Sequence, residues 1–159
     1  MPLEMKLKPG DTAPDFLLKD QDGNDIKLSK YRGENVMLSF HPLAWTGVCE
    51  IQMRTLELKF GALAELDTVA FGISVDTVPC KKAWAAAIGV KHTKLLSDFW
   101  PHGEVAQAYG LFIESAGFSG RANIVIDKEG RIAFVKVYEK PEVPDIEEVI
   151  RFLKGMSPT

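Results

Sequence analysis

The residues best suited to chemistry lie in one short segment of the sequence, FHPLAWTGVCEIQM, over residues 40–53. Cys49 is one of only two cysteines in a chain of 159 residues, and Pro42 and Thr46 precede it in the pattern P-x-x-x-T-x-x-C. Cysteine acts as a nucleophile only as the thiolate, and a free cysteine is mostly protonated at neutral pH. The surroundings of Cys49 must therefore favour the anion if this residue is reactive.

The pattern around Cys49 predicts such surroundings, because a helix is expected to begin near Val48. Unpaired N–H groups and the helix dipole favour an anion in the first turn. Thr46 offers a hydroxyl to a thiolate or a bound oxygen, Gly47 permits close approach of the backbone, and Pro42 forms a rigid wall without an N–H. The residues alone leave a second interpretation open, since free cysteine is often only a small buried hydrophobe.

Strands and helices alternate along the rest of the chain, as judged from apolar periodicity and turn residues. The predicted elements are a hairpin around Asp22 and Gly23, a strand over 35–40, a helix over 48–66, a strand over 68–76, a helix from Pro79, a strand over 94–98, a short helix over 103–110, a hairpin over 122–139 and a helix over 144–156. Strand–helix–strand units imply parallel pairing through right-handed crossovers, and the late hairpin adds antiparallel strands.

We therefore expect an α/β protein with a thioredoxin-like fold, in which helices flank a mixed central sheet and a β-hairpin forms the N-terminal part. Residues 1–159 are expected to form a single domain. Sites in open α/β sheets lie beyond the carboxyl ends of the parallel strands. The loops over 41–48 and 76–79 are predicted to meet there.

Composition argues against several other classes of protein. The net charge is −3 and the Lys and Arg residues are scattered, so no nucleic-acid partner is expected. No apolar run approaches the roughly 20 residues of a membrane span, and the N-terminus lacks an apolar signal core, which together predict a cytoplasmic protein with no membrane partner. His92 and His102 lack partners at metal-ligand spacing and are predicted to be surface residues.

Pro42, Thr46 and Cys49, followed by Gln52, resemble the active-site signature of the peroxiredoxins, and PLAWTGVC is most similar to their bacterial alkyl hydroperoxide reductase E-type branch. The resemblance covers nearly the whole chain. KPGDTAPDFLLKDQDG is similar to the family's opening, and GISVDTVPCKKAWA to its strand and helix after the active site. GRANIVIDKEGRI resembles the family's late hairpin, with Arg121 at the place of the active-site arginine.

This resemblance implies a thiol-dependent peroxidase that reduces hydrogen peroxide or organic hydroperoxides. The Cys49 thiolate would attack the terminal peroxide oxygen and become a sulfenic acid. Arg121, Thr46 and the backbone N–H groups near Val48 and Cys49 would stabilise the developing charge. The resemblance implies no metal or organic cofactor, thioredoxin or a similar thiol as the reductant, and a homodimer.

The predicted substrate pocket also includes His41, Trp45, Gly47, Val48 and Gln52. His41 stands where the family usually has an aromatic residue, and it is interpreted either as a hydrogen-bonded structural residue or as a group that tunes the thiolate. Trp45 stands where phenylalanine is common and is expected to pack over the pocket or at a dimer contact. Gln52 is expected to brace the site.

Cys80 is predicted to begin the helix after the neighbouring strand, at the same sheet edge as Cys49. We expect both thiols to have thiolate character and Cys80 to resolve the sulfenic acid as an intramolecular disulfide, which requires the two Cα atoms to come within about 7 Å. One alternative is that Cys80 only packs at the start of its helix and that the protein is a one-cysteine peroxiredoxin resolved by an external thiol. Two others are a thiol–disulfide oxidoreductase, although EIQ after Cys49 contains no C-x-x-C partner, and a non-catalytic thioredoxin-like binding module.

Overall fold

The computed structural model describes residues 5–156. The strands are β1 (Leu17–Lys19), β2 (Asp25–Lys27), β3 (Asn35–Phe40), β4 (Thr68–Ser74), β5 (Lys94–Ser97), β6 (Phe112–Ile113), β7 (Phe118–Ser119), β8 (Arg121–Ile126) and β9 (Ile132–Tyr138). The helices are α1 (Gly47–Leu58), α2 (Phe60–Glu65), α3 (Val78–Ile88), α4 (Glu104–Ala108) and α5 (Ile146–Met156).

Seven strands form one mixed sheet in the order β2-β1-β5-β4-β3-β8-β9. The central strands β5, β4 and β3 pair in parallel, whereas β8 and β9 on one side and β1 and β2 on the other are antiparallel. The α/β fold with a mixed sheet, flanking helices and an N-terminal hairpin is confirmed. The small pair β6–β7 was not predicted from the sequence.

The helix predicted over 48–66 is wrong in its length, because the structure has two helices there. α1 ends at Leu58, whose side chain is 83% exposed, and Lys59 leaves helical geometry with φ −97° and ψ 9°. Gly61 follows the break and weakens helix formation locally. The break turns α2 so that Leu63 packs into the core beside β4.

The strand predicted over 68–76 ends two residues early, at Ser74. Asp76 therefore lies in the loop at the carboxyl edge of the sheet rather than within a strand.

Each face of the sheet packs on its own apolar cluster, because alternate residues of a strand point to opposite faces. Met37 of β3 joins a cluster with residues of α1, α2, α3 and α5. Leu38 and Phe40 join a second cluster that includes Phe16 and Tyr109. All six residues of β3 are buried, which fixes the strand whose carboxyl end leads into residues 41–46, the loop before Cys49 that we call the cysteine loop.

Gly72 allows α1 to lie close to the sheet. A Cβ atom at this position of β4 would collide with the Sδ atom of Met53. The missing side chain thus sets the distance between β4 and the helix that carries Cys49.

No helix within residues 5–156 is long and apolar enough to cross a membrane.

Candidate active site

Cys49 is the third residue of α1 and its side chain is fully buried. Thr46 occupies the N-cap position in an extended conformation but makes no side-chain cap. Its hydroxyl instead donates to the carbonyl of Leu43 at 2.8 Å, and no hydrogen bond joins it to Cys49 in the described residues. The thiol therefore lies where the free N–H groups of the helix favour a negative charge.

Arg121 is brought to Cys49 by strand pairing. It begins β8, and its neighbour Ala122 pairs with Phe40 at the carboxyl end of β3. The Nη1 atom of Arg121 donates to Cys49 Sγ at 3.3 Å, and the arginine is only 3% exposed. A buried guanidinium in contact with the sulfur supplies the charge-assisted hydrogen bond that a thiolate needs.

The guanidinium of Arg121 is held in one orientation by two further partners. Its Nε and Nη2 atoms donate to the carbonyl of Lys140 at 3.1 and 2.8 Å. Its Nη1 atom also donates to Gln52 Oε1 at 2.7 Å, and Gln52 Nε2 donates to Ser39 Oγ at 2.6 Å and to the Phe40 carbonyl at 3.1 Å. Gln52 thus ties Arg121 to the end of β3.

A cavity of about 350 Å³ opens beside this cluster. Most of its lining side chains are apolar, with a hydroxyl and two cations among them: Pro42, Leu43, Thr46, Gly47, Val48, Phe118, Arg121, Lys140 and Pro141. The ammonium group of Lys140 lies 5.0 Å from the centroid of the Phe118 ring at its rim. The cavity can admit a small molecule with an apolar part, whose polar end would meet Thr46 and Arg121.

Three residues predicted to line the substrate pocket do not line this cavity. His41 and Gln52 are buried; His41 contacts Lys81 of α3, and Gln52 donates to Ser39 and to the Phe40 carbonyl at the end of β3. Trp45 is 58% exposed. Its backbone has a left-handed φ of 67°, which is unusual for a bulky residue and indicates local strain in the cysteine loop.

His41 contacts a buried lysine that sequence reasoning missed. The His41 Nδ1 atom lies 3.3 Å from the Ser39 carbonyl, which can only accept, so Nδ1 carries the proton. The free Nε2 lone pair therefore faces Lys81 Nζ at 3.1 Å, and both side chains are fully buried. Burial and the nearby Lys81 charge hold the pKa of His41 well below its usual value, and burial lowers the pKa of Lys81 to about 7.

Cys80 is linked to the cysteine loop through Asp76, a second residue that the sequence did not single out. The Cys80 thiol lies 3.8 Å from Asp76 Oδ1, while Asp76 Oδ2 accepts hydrogen bonds from the Ala44 N–H at 2.7 Å and from Ser74 Oγ at 2.6 Å. The prediction that Cys80 has thiolate character is wrong, because burial and, to a smaller extent, the Asp76 charge raise the pKa of its thiol. The Trp45 side chain has a smaller, opposite influence and favours the Cys80 thiolate.

Neither His92 nor His102 belongs to this site. Both are exposed, as predicted: His92 pairs with Glu57 at 3.0 Å, and both ring nitrogens of His102 face backbone carbonyls. No group of three His, Cys, Asp or Glu side chains between residues 5 and 156 is arranged to hold a metal ion.

Residues 9–135 match the AhpC/TSA family. The chain belongs to this family. It is 44% identical over 140 residues to alkyl hydroperoxide reductase E of Mycobacterium tuberculosis, a match that covers 87% of this chain and 91% of the relative. It is 33% identical over 158 residues to the thiol peroxidase of Staphylococcus saprophyticus, covering 97% and 92% of the two chains.

Solved structures agree with this assignment to the AhpC/TSA family. The crystal structure of peroxidoxin BcpB from Mycobacterium tuberculosis superimposes with a TM-score of 0.83 at 26% identity, over 96% of this chain and 99% of that one. The thioredoxin-like fold and the resemblance to peroxiredoxins are thereby confirmed. The chain is a peroxiredoxin, an oxidoreductase that reduces peroxides at the expense of thiols.

Proposed function

We propose that Cys49 is the peroxidatic cysteine of this enzyme, with Arg121, Thr46 and Pro42 forming its active site. The observation that carries the proposal is the 3.3 Å contact between Arg121 Nη1 and Cys49 Sγ, next to a cavity open to a small molecule. The helix N-terminus and the buried guanidinium both stabilise a negative sulfur.

The reaction begins when the Cys49 thiolate attacks the terminal oxygen of a peroxide ROOH. An S–O bond forms while the O–O bond breaks, so sulfur is oxidised by two electrons to the sulfenic acid and the peroxide is reduced. The alkoxide RO⁻ leaves and takes one proton to become the alcohol. Arg121 and the backbone N–H groups of the first helical turn donate to the charged oxygens during the transfer.

Thr46 serves the peroxide rather than the thiol in this proposal. Its hydroxyl proton is already directed to the Leu43 carbonyl at 2.8 Å, so its oxygen is left to accept a hydrogen bond from the peroxide O–H. The apolar wall that includes Pro42, Leu43 and Phe118 leaves room for an organic substituent. We infer that the substrates include organic hydroperoxides as well as hydrogen peroxide.

Peroxide consumption with a dithiol reductant tests this function in the wild type, Cys49→Ser and Cys80→Ser proteins. We expect Cys49→Ser to abolish consumption and Cys80→Ser to retain the first oxidation step. Disulfide exchange without peroxide consumption in the wild type would favour a thiol–disulfide oxidoreductase. No activity in either assay would favour a binding module.

We further propose that Cys80 resolves the Cys49 sulfenic acid within one chain. The Cys80 thiolate would attack the Cys49 sulfur, so that an S–S bond forms while the S–O bond breaks, and the hydroxide that leaves takes one proton to become water. Thioredoxin or a similar thiol would then reduce the disulfide. The contact of Asp76 with Cys80 supports the proposal, because Asp76 also accepts from the Ala44 N–H and so joins Cys80 to the loop that precedes Cys49. The raised pKa of Cys80 makes closure slow at neutral pH and faster as the pH rises.

A non-reducing peptide map of peroxide-treated protein distinguishes the two modes of resolution. A disulfide between Cys49 and Cys80 supports resolution within the chain. If Cys49 is found as a sulfenic acid or mixed disulfide while Cys80 stays free, an external thiol completes every turnover.

We also propose that residues 1–159 act as one domain and assemble as a homodimer in the cytoplasm. One continuous seven-stranded sheet supports the single domain. The exposed indole of Trp45 supports a contact near the active-site loop. A cycle that needs a free thiol and a thiol reductant is suited to a reducing compartment.

A further inference from the structure

Lys81 is a lysine whose side chain lies in the interior of the protein. It is fully buried, and no carboxylate of residues 5–156 lies within ion-pair distance of its Nζ atom. Its close polar neighbour is a neutral imidazole, the Nε2 atom of His41 at 3.1 Å. A buried ammonium without a paired anion is costly, so a lysine at this position requires a physical reason.

The contacts of Lys81 lead back to the active site. His41 bonds through Nδ1 to the carbonyl of Ser39. The Ser39 hydroxyl accepts from Gln52, whose Oε1 atom accepts from Arg121, and Arg121 contacts the Cys49 sulfur. Buried polar groups thus connect Lys81 with the peroxidatic cysteine without passing through solvent.

The packing around Lys81 also connects this residue with the active site. The ring of Trp84 lies 5.9 Å from Lys81 Nζ and 5.5 Å from the His41 ring, and Trp84 belongs to the same buried cluster as Cys49.

We propose that Lys81 is a positioning residue for peroxide reduction, whose buried ammonium group stabilises the Cys49 thiolate from within the core and acts together with Arg121. His41 keeps this ammonium in place by accepting one of its hydrogens. The proposal rests on the assignment of Cys49 as the peroxidatic cysteine. It adds a fully buried cation to that site, and the P-x-x-x-T-x-x-C pattern does not contain this residue.

The negative groups that act on the pKa of Lys81 support this role. Burial is the largest influence on its pKa and disfavours the ammonium, while the negative forms of Asp76, Cys49, Cys80 and Asp98 favour it, in that order. The carboxylate of Asp98 is occupied by the N–H groups that open α4, and Asp76 by Ala44 and Ser74. Cys49 is the one among them whose charge changes during peroxide reduction.

Coupling between two ionisable groups is reciprocal. If the Cys49 thiolate favours the Lys81 ammonium, the ammonium must favour the thiolate by the same free energy. Oxidation of Cys49 removes the thiolate and should therefore lower the pKa of Lys81. This reciprocity gives two independent measurements.

The first measurement is the pH profile of Cys49 oxidation by peroxide, followed by stopped-flow tryptophan fluorescence. We expect Lys81→Met to slow oxidation about tenfold at about pH 6, because the thiolate loses a buried positive charge, and to approach the wild-type rate at about pH 9, where Lys81 itself is neutral. Lys82→Met is the matched control, because Lys82 is adjacent and exposed. An identical pH profile for Lys81→Met and wild type would overturn the proposal.

The second measurement needs no substitution of Lys81 and therefore does not depend on how that variant folds. NMR of isotope-labelled lysine side chains should show one lysine that titrates far below the others in the reduced wild type. Its midpoint should fall in Cys49→Ser, which lacks the thiolate. An unchanged midpoint would refute the coupling, whereas peroxide consumption by Cys49→Ser would refute the proposed function instead.

Discussion

The orientation of Arg121 is fixed by several acceptors at once. The carbonyl of Lys140 takes hydrogen bonds from Nε and Nη2, while Gln52 and Cys49 share Nη1. A donor that is already oriented stabilises developing charge without reorganisation, which is the condition for a large catalytic effect. The position of this one guanidinium therefore links strand pairing to reactivity.

Replacement of Arg121 should slow the oxidation of Cys49 much more than it affects the fold. We expect Arg121→Met to lower the second-order rate constant with peroxide about 100-fold or more, because a preorganised charged donor is lost. Arg121→Lys should recover part of the rate, because lysine keeps the positive charge but lacks the planar guanidinium that donates to several acceptors at once. The control is Arg131→Met in the exposed turn before β9. If Arg121→Met reacts with peroxide at the wild-type rate, the guanidinium of Arg121 has only a structural role.

Lys81 should lower the free energy of unfolding, although its ammonium group stabilises the Cys49 thiolate. Burial lowers the pKa of Lys81 from its usual 10.5 to about 7, so folding disfavours the ammonium. Lys81→Met should therefore raise the free energy of unfolding by about 1–4 kcal/mol at low and neutral pH. This gain should be complete below about pH 7 and disappear as the pH rises toward 10.5, because the unfolded lysine then loses its proton as well.

Denaturant unfolding at several pH values, with Lys82→Met as the control, measures this gain. A stability that falls equally at all pH values would show that Lys81 contributes mainly by packing.

At the scale of elements, α1 is fixed at both ends. Its first turn lies against Arg121, and its last turns are held by Glu57, which accepts from the backbone N–H groups of Lys91, His92 and Thr93 before β5. Burial opposes the charge of Glu57, but these hydrogen bonds prevail and lower its pKa to about 2. The helix that carries Cys49 is thus anchored to the parallel strand β5 as well as to β4.

Removal of the Glu57 charge should loosen this anchor. We expect Glu57→Gln to reduce the free energy of unfolding by about 2 kcal/mol at neutral pH, the effect of weakened hydrogen bonds to a charged acceptor. The contribution of Glu57 is present above its usual pKa of 4.5 and is lost as the pH falls toward 2, so the two proteins should converge in acid. The control is Glu50→Gln, on the exposed side of α1, which should change the free energy of unfolding little. A difference between Glu57→Gln and wild type that does not depend on pH would contradict this prediction.

The sequence predicted the main strands and helices because each has a strong local pattern, such as the apolar run of β3 or the turn at Gly130 between β8 and β9. The break at Lys59 was missed because the apolar spacing of 48–66 is only approximately helical. Lys81 was missed because two adjacent lysines are usually both solvated, although Lys81 shares helical spacing with Trp84, Ala85 and Ile88.

The site was predictable only in part. Cys49 stood out by its type and predicted position in a helix, whereas Arg121 required the resemblance to a family. The links from Gln52 to Ser39 and from Asp76 to Ala44 join distant parts of the chain. No local pattern contains such pairings, since they follow from the register of the sheet.

At the scale of the whole molecule, the exposed apolar residues near the cysteine loop predict self-association. Trp45 is 58% exposed and Ile51 on α1 is 48% exposed. We expect sedimentation velocity to show a particle of twice the mass of one chain, and Trp45→Glu to shift it toward monomer because a buried charge disfavours the interface. The control is Leu58→Glu, at an exposed position farther along α1. A wild-type protein that stays monomeric at high concentration would contradict the predicted dimer.

The most direct test of the account is to trap the sulfenic acid. Cys80→Ser protein, treated with equimolar peroxide in the presence of a dione that captures sulfenic acids, should carry one adduct at Cys49 by mass spectrometry. Formation of this adduct should be strongly slowed in Cys80→Ser protein that also carries Arg121→Met. Peroxide reduction that proceeds without an adduct at Cys49, or that persists in Cys49→Ser, would contradict the assignment of Cys49 as the peroxidatic cysteine.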